Sequence, residues 1–407
     1  MITHRVPPDL EKPAARHQIW MLEEGLAFLN HGSFGSCPKA VLEFQSEIRR
    51  RIERQPVRFF VRELESLLDA AREQLAEFLD ADPAGLVFVT NATAGVNTVL
   101  RSLRFERGDE LLTTNHEYNA CRNALEFAAA QWGARVVVAD VPFPVKSEDE
   151  IFHSIMQRVS RRTKLLLVDH LTSPTGLILP VKKLVDALAE RGVDTLVDGA
   201  HAPGMLPLRL RQLGAAYYTG NCHKWLNAPK GAGFLLVRHD RQALIRPLAI
   251  SHGANSPRTD RSRFQIEFGW TGTWDPSAWL SVPDAIRYTS TLLPGGWPAI
   301  RRRNHLLAVE ARKLLCKALR IPAPAPAHLI GSMASVPLPD SEDSLPPKSP
   351  LYMDALQDKL LESWRIEVPV IPWPNPPKRL LRISTQLYNS LPQYRLLATA
   401  LEQLFHE

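Results

Sequence analysis

Six short apolar runs, interleaved with stretches of helical character, constrain this chain more than any other feature. They are Leu86–Thr90, Leu111–Thr114, Val136–Ala139, Leu165–Asp169, Thr195–Asp198 and Phe234–Val237. Continuously apolar runs of this length read as strands buried on both faces. Helical stretches lie between them: Val41 to Ala81 with a break at Pro56, a helix from Ala94 onward, one near 149–160, and one after Pro180. This alternation predicts an α/β fold with a mostly parallel central sheet.

The pattern changes after residue 285. A helix over Arg301–Leu319 leads into a Pro-rich segment, Ile321–Pro350, expected to form loops around one strand at Ser332–Val336. A helix at Tyr352–Trp364, strands at Ile366–Ile371 and Leu380–Ser384, and a closing helix at Gln393–Phe405 follow. Three parts are expected: an N-terminal arm (1–40), a large domain (41–285) and a smaller α+β C-terminal domain (286–407). A chain of 407 residues with 45% apolar content can fill cores of that size.

Several function classes are excluded at this stage. The balance of 49 basic against 43 acidic residues gives only +6, and the basic runs Arg49–Arg51 and Arg301–Arg303 are short. They read as solvated helix faces, so no nucleic-acid partner is expected. No apolar stretch reaches the ~18 residues a membrane span needs. The first twenty residues lack the basic start and apolar run of a secretory leader. Cys37, Cys121, Cys222 and Cys316 are far apart and show no C-x-x-C spacing. Neither a metal site nor a disulfide framework is expected, and a reduced, cytoplasmic setting fits.

Three motifs carry chemistry. In Gly220-Asn221-Cys222-His223-Lys224-Trp225 a lysine is flanked by His and Trp. A partly desolvated lysine has a lowered pKa and condenses with aldehydes. Asp198 ends an apolar strand in Val197-Asp198-Gly199-Ala200-His201, where α/β folds place ligands. Asn91-Ala92-Thr93-Ala94-Gly95 joins a strand to a helix. Its small residues, helix N-terminus and Thr93 hydroxyl suit an anion.

These motifs, with Phe28-Leu29-Asn30-His31-Gly32-Ser33-Phe34-Gly35, His116-Glu117-Tyr118-Asn119-Ala120, Trp270-Thr271-Gly272-Thr273 and Arg382-Ile383-Ser384, resemble the class V aminotransferase-like group of fold-type I pyridoxal 5′-phosphate (PLP) enzymes. Within it the chain resembles the isopenicillin N epimerase-like branch. The resemblance implies that fold, the aspartate aminotransferase-like one, and a set of roles. Lys224 would hold PLP as a Schiff base and act as base at Cα. Asp198 would pair with the pyridine nitrogen and His201 would approach the ring O3′. Tyr118 would stack on the ring, with His116 as the alternative. Ala92 and Thr93 would hold the phosphate with Asn221 and His223. Ser173 stands where many relatives carry an Asn near O3′. Thr273, in Thr271-Gly272-Thr273, would reach the phosphate of a neighbouring subunit, which implies a homodimer with shared active sites. Arg382 would hold the substrate α-carboxylate, with Arg379 as its rival, while Asn30 and His31 close the pocket.

PLP supplies an electron sink, and the protein selects the outcome. The branch points to an amino-acid epimerase. A Cβ–S lyase acting on a cysteine conjugate is the alternative, with aminotransfer behind both. A sulfur-accepting cysteine, as in desulfurases, is not expected: Cys316, the cysteine beyond Lys224, reads as helix interior. A non-catalytic scaffold is disfavoured because Lys224 and Asp198 are both present.

Overall fold

Burial on both faces is the condition the apolar runs meet. The computed structural model describes residues 7–341 and 354–406. The arm carries a two-residue strand, β1 (Ala27–Phe28). The six runs then form β2 (Leu86–Val89), β3 (Glu110–Thr114), β4 (Arg135–Ala139), β5 (Thr163–Asp169), β6 (Asp194–Asp198) and β8 (Gly233–Val237). A further strand, β7 (Tyr217–Asn221), completes a seven-stranded sheet in the order β2-β8-β7-β6-β5-β3-β4. Strands β7-β6-β5-β3-β4 are parallel, and β8 runs antiparallel to both β7 and β2. Separate apolar clusters cover the two sheet faces, one around Leu112, Leu166 and Val197, the other around Leu111, Leu165 and Leu196. That alternation along each strand is the expected pleat.

Strand β7 has no counterpart in the sequence reading. Its Gly-Asn end favours turns, yet all five residues are buried and paired with β8, and Tyr217–Thr219 pair with β6 as well. Tertiary pairing overrides local preference there. The helix after β2 starts at Ala92, two residues before the expected position, because Asn91 caps it.

The C-terminal part is built as expected in outline. A helix at Gly296–Ala318 packs on a three-stranded antiparallel sheet, β11-β12-β9, made of β9 (Met333–Pro337), β11 (Val370–Pro372) and β12 (Arg379–Ser384). The expected strand Ile366–Ile371 is divided. Its first residues, β10 (Ile366–Glu367), pair in parallel with β1 of the arm. Residues 342–350 of the Pro-rich segment and 352–353 of the expected helix lie outside the described residues.

The topology sets the ligand position. From β3 the chain goes to β4 on one side, then returns to β5 on the other. Loops after β3 and β5 therefore diverge, opening a crevice at the C-terminal strand ends. Asp198, Asp169 and the Asn115–Tyr118 loop all border it.

The arm is locked against the lysine loop. Gly35 adopts φ 70°, and a Cβ there would collide with the His223 carbonyl oxygen and lie 2.9 Å from Lys224 Cα. Gly35→Ala should therefore destabilise the protein by roughly 1–3 kcal/mol. It should also loosen the lysine loop, which thermal unfolding and amide exchange across 220–228 would report.

Candidate active site

Lys224 leaves β7 through a tight loop, with Asn227 N donating back to its carbonyl at 3.0 Å. Its Nζ lies 3.2 Å from His201 Nε2, while Trp225 Nε1 donates to His201 Nδ1 at 3.3 Å. The indole has only a proton to give, so Nδ1 accepts and the proton of the neutral imidazole sits on Nε2. Nε2 then donates toward Lys224, which can accept only as a free amine. The electrostatics agree. Burial, and then the nearby Arg382 charge, push Lys224 down to about 7. Burial also holds His201 well below its usual range. The result is a half-buried amine, oriented by His201, that gives up its proton near neutral pH.

Arg382 is the second anchor. It is 3% exposed on β12, and its Nη1 donates to Ser173 O (2.7 Å) and Ser173 Oγ (3.0 Å). Its Nη2 donates to Ser33 Oγ (2.9 Å), and that hydroxyl donates onward to Asn30 Oδ1 (2.5 Å). Asn30 is held in turn by Glu367. Nε has no partner, and no carboxylate neutralises the guanidinium among the described residues. A buried, uncompensated arginine fork suits an incoming carboxylate. Arg379, three residues earlier on the other face, is already paired with both oxygens of Asp354 at 3.0 Å.

Opposite Lys224 lies a group of acids. Asp198, at the end of β6, accepts from Ala200 N (2.8 Å) through Oδ1 and from Cys121 Sγ (3.1 Å) through Oδ2. Asp169 ends β5 as its register partner. Glu117 follows β3 and accepts from the Thr113 hydroxyl at 3.1 Å. Burial raises all three carboxyls, Glu117 to about 8.

Thr93 opens the helix Ala92–Ser102. Ala92 N donates to Asn221 Oδ1 (2.8 Å), Ala94 N to Asn91 Oδ1 (2.8 Å) and Gly95 N to Asn91 O (3.1 Å). The Thr93 N–H and hydroxyl have no acceptor among the described residues, so they could take an anion. Asn221 acts here as the clamp joining β7 to that helix. Gly95 allows the approach, because a Cβ would collide with the Thr219 side chain. His223 Nδ1 donates to Ala232 O at 3.1 Å, leaving Nε2 free.

The remaining expected residues divide into two sets. Tyr118 is 41% exposed at the mouth, where Arg382 and Asp198 act on its phenol. His116 is buried instead, bonded to Thr175 Oγ1 (2.7 Å) and Val141 O (2.9 Å) and packed on Trp373. His31 is buried too, between Tyr388 OH (2.8 Å) and the Lys224 carbonyl (3.1 Å). It faces the back of the lysine loop. Ser173 faces Arg382. Thr273 lies on an exposed loop, and no hydrogen bond joins it to Lys224, Asp198 or Arg382. Reading the sequence missed Ser33, Cys121, Glu117 and Asp169. Asp169 alone had a signal, since it ends an apolar run as Asp198 does.

A family model described as aminotransferase class-V matches residues 37–343. The chain is 36% identical to isopenicillin N epimerase of Amycolatopsis lactamdurans, covering 96% of this chain and 98% of that protein. It is 33% identical to a putative L-cysteine desulfhydrase 1 of Oryza sativa subsp. japonica, over 86% and 74% respectively. A solved structure of a C-DES variant, with glycine covalently linked to its PLP cofactor, superposes with TM-score 0.74 at 22% identity. It covers 93% of this chain and 97% of that one.

The Lys224 environment makes a measurable difference among lysines. In cofactor-free protein, reductive methylation by formaldehyde should reach half its maximal rate at Lys224 near pH 7. Surface lysines should need about pH 10. Peptide mass mapping across a pH series reads this; a Lys224 midpoint in the surface range would contradict the neutral-amine geometry.

Proposed function

The chain belongs to the class V aminotransferase family and is a PLP-dependent enzyme of its isopenicillin N epimerase-like branch, and from that premise we propose that it epimerises an amino acid at Cα, with Lys224 as the cofactor-bearing base. The observation that carries the reading is the juxtaposition of a half-buried Lys224 amine that loses its proton near neutral pH with a buried, unneutralised Arg382 fork.

The residues fit the cofactor end by end. Thr93 and His223 Nε2 offer free polar groups at a helix N-terminus for a phosphate, with Ala92 and Asn221 forming the wall behind. Asp198, with two donors fixing its carboxylate, would face the pyridine nitrogen. Tyr118, exposed at the N-cap of the next helix, would stack on the ring, and His201 and Ser173 would approach O3′. Once bound, PLP offers an aldehyde that condenses with amines and a ring that accepts electron density from Cα.

The chain's own residues do the rest. Arg382 binds the α-carboxylate through its open Nε edge, with Ser33 and Asn30 fixing the fork. Lys224 takes the Cα proton from one face as a free amine near neutral pH, and inversion requires a proton delivered to the opposite face. His201 keeps that amine oriented through Nε2–H. Asp198 would hold a proton at the ring nitrogen. His31 positions the loop from behind through the Lys224 carbonyl.

The site draws on each of the three proposed parts. Asn30 and Ser33 come from the arm (1–40), Lys224 and Asp198 from the large domain (41–285), and Arg382 from the small one (286–407). The proposal includes a homodimer in which Thr273 reaches the partner's phosphate; its exposed loop supports this. It also includes a cytoplasmic location. Four free cysteines fit a reducing compartment, and no described helix is long and apolar enough to cross a membrane.

A Cβ–S lyase is the second reading, favoured by relatives named as L-cysteine desulfhydrases at 33% and 31% identity. It needs Lys224 alone as base. A desulfurase-type sulfur acceptor is disfavoured, because Cys316 is buried in the helix Gly296–Ala318.

Two experiments test the proposal. Arg382→Leu should lower kcat/KM roughly 10–100-fold, the loss of one charge-assisted carboxylate contact. Arg379→Leu should instead cost roughly 3–5 kcal/mol of stability by breaking its buried pair, with kcat/KM retained. In heavy water, the holoenzyme with isopenicillin N should give deuterium at Cα with inversion. Pyruvate and ammonia from L-cysteine, without inversion of any substrate, would replace the epimerase by the lyase.

A further inference from the structure

Two buried carboxyl oxygens have no partner among the described residues, and the proposed chemistry uses neither. They are Glu117 Oε1 and Asp169 Oδ2. Both side chains border Asp198. Asp169 and Asp198 are register partners at the ends of adjacent parallel strands, so they project to the same face. Ligand oxygens of Glu117 and Asp198, with Cys121 Sγ, all lie within 4.8 Å of one another.

Three carboxyls this close in a dry setting cannot all ionise near neutral pH. Their hydrogen bonds decide which one does. Asp198 has a donor on each oxygen, Ala200 N and the Cys121 thiol, and donors favour the charged form. Glu117 accepts one side-chain hydrogen bond, from the Thr113 hydroxyl on Oε2, with the Tyr118 backbone N–H a lesser influence, and its Oε1 has no partner among the described residues. The facing charges do not change this order. Lys224, from the loop after β7, acts on Asp169 and Asp198, and Arg382 of β12 acts on Tyr118 at the helix cap. Arg122 of the next helix acts on Glu117 in the lowering direction, but less than burial and Asp198 raise it, and its guanidinium is engaged by Glu126 at 2.7 and 2.8 Å.

We propose that Glu117 and Asp169 each retain a proton at neutral pH, so that the cluster carries one negative charge and that charge sits on Asp198. Glu117 and Asp169 are then positioning residues for the ring-nitrogen partner. The inference rests on the reading that Asp198 faces the ring nitrogen. A neutral Glu117 lets Asp198 remain a carboxylate able to hold a ring N–H. Loss of the Glu117 proton would set a second charge beside it and raise Asp198's own affinity for a proton. Burial and the neighbouring Asp198 place that loss on the alkaline side.

The test is infrared difference spectroscopy of the cofactor-free protein, joined to the visible spectrum of the PLP-loaded protein. At neutral pH the wild type should show protonated-carboxyl C=O stretches. One should vanish in Glu117→Gln and another in Asp169→Asn, and the Glu117 stretch should titrate away as pH rises. The loaded wild type should show an alkaline step in its visible band that Glu117→Gln lacks, because the amide cannot ionise. Absence of any buried-acid stretch in the wild type at neutral pH overturns the proposal without recourse to a variant. So does an alkaline step identical in wild type and Glu117→Gln. An Asp198→Asn protein whose visible band and pH dependence match the wild type would instead overturn the assignment of Asp198 to the ring, while the wild-type stretch still reports on Glu117.

Discussion

Desolvation of the Lys224 amine is the constraint on which the rest of the site depends. An ammonium without a close counter-ion is costly in a dry interior, so the group gives up its proton. Arg382 adds a second reason, since two cations near each other cannot both be favoured. Trp225 and His201 turn this necessity into orientation. The indole N–H sets the imidazole tautomer, and the tautomer points a proton at the amine lone pair. No carboxylate pairs with Arg382 among the described residues, which keeps its fork open.

Sequence separation matters as much as chemistry. Ser33 and Arg382, joined at 2.9 Å, are 349 residues apart, and His31 meets the Lys224 carbonyl across 193. The arm is therefore a structural part of the site. It is fastened at one end by the β1–β10 pair and at the other by Gly35 against the lysine loop. Gln386 extends the fastening, contacting His31 and Asn227 through Nε2 and Asn304 through Oε1. Displacing the C-terminal strands would carry the arm, and with it the back of the lysine loop.

Much of this was legible in the chain because burial on both faces leaves a continuous apolar signature. Strands β2 to β6 and β8 follow from it directly. Strand β7 does not, because its Tyr-Tyr-Thr-Gly-Asn composition lacks that signature and its burial comes from its neighbours. Lys224, Asp198 and Arg382 stand out through their flanking residues. The choice between Arg382 and Arg379 needed the strand face and the Asp354 pair. The choice between Tyr118 and His116 needed the Thr175 and Val141 contacts that occupy the histidine. Glu117 and Asp169 were invisible as a pair, because burial and the proximity of segments fifty residues apart are properties of the fold.

The central claim is that the half-buried Lys224 amine carries the cofactor. Borohydride reduction of the PLP-loaded protein, followed by proteolysis and peptide mass mapping, tests it most directly. The account predicts one phosphopyridoxyl-modified peptide, containing Lys224, and no modified peptide in Lys224→Ala. Stoichiometric modification at any other lysine, such as Lys230 in the same loop, would contradict it.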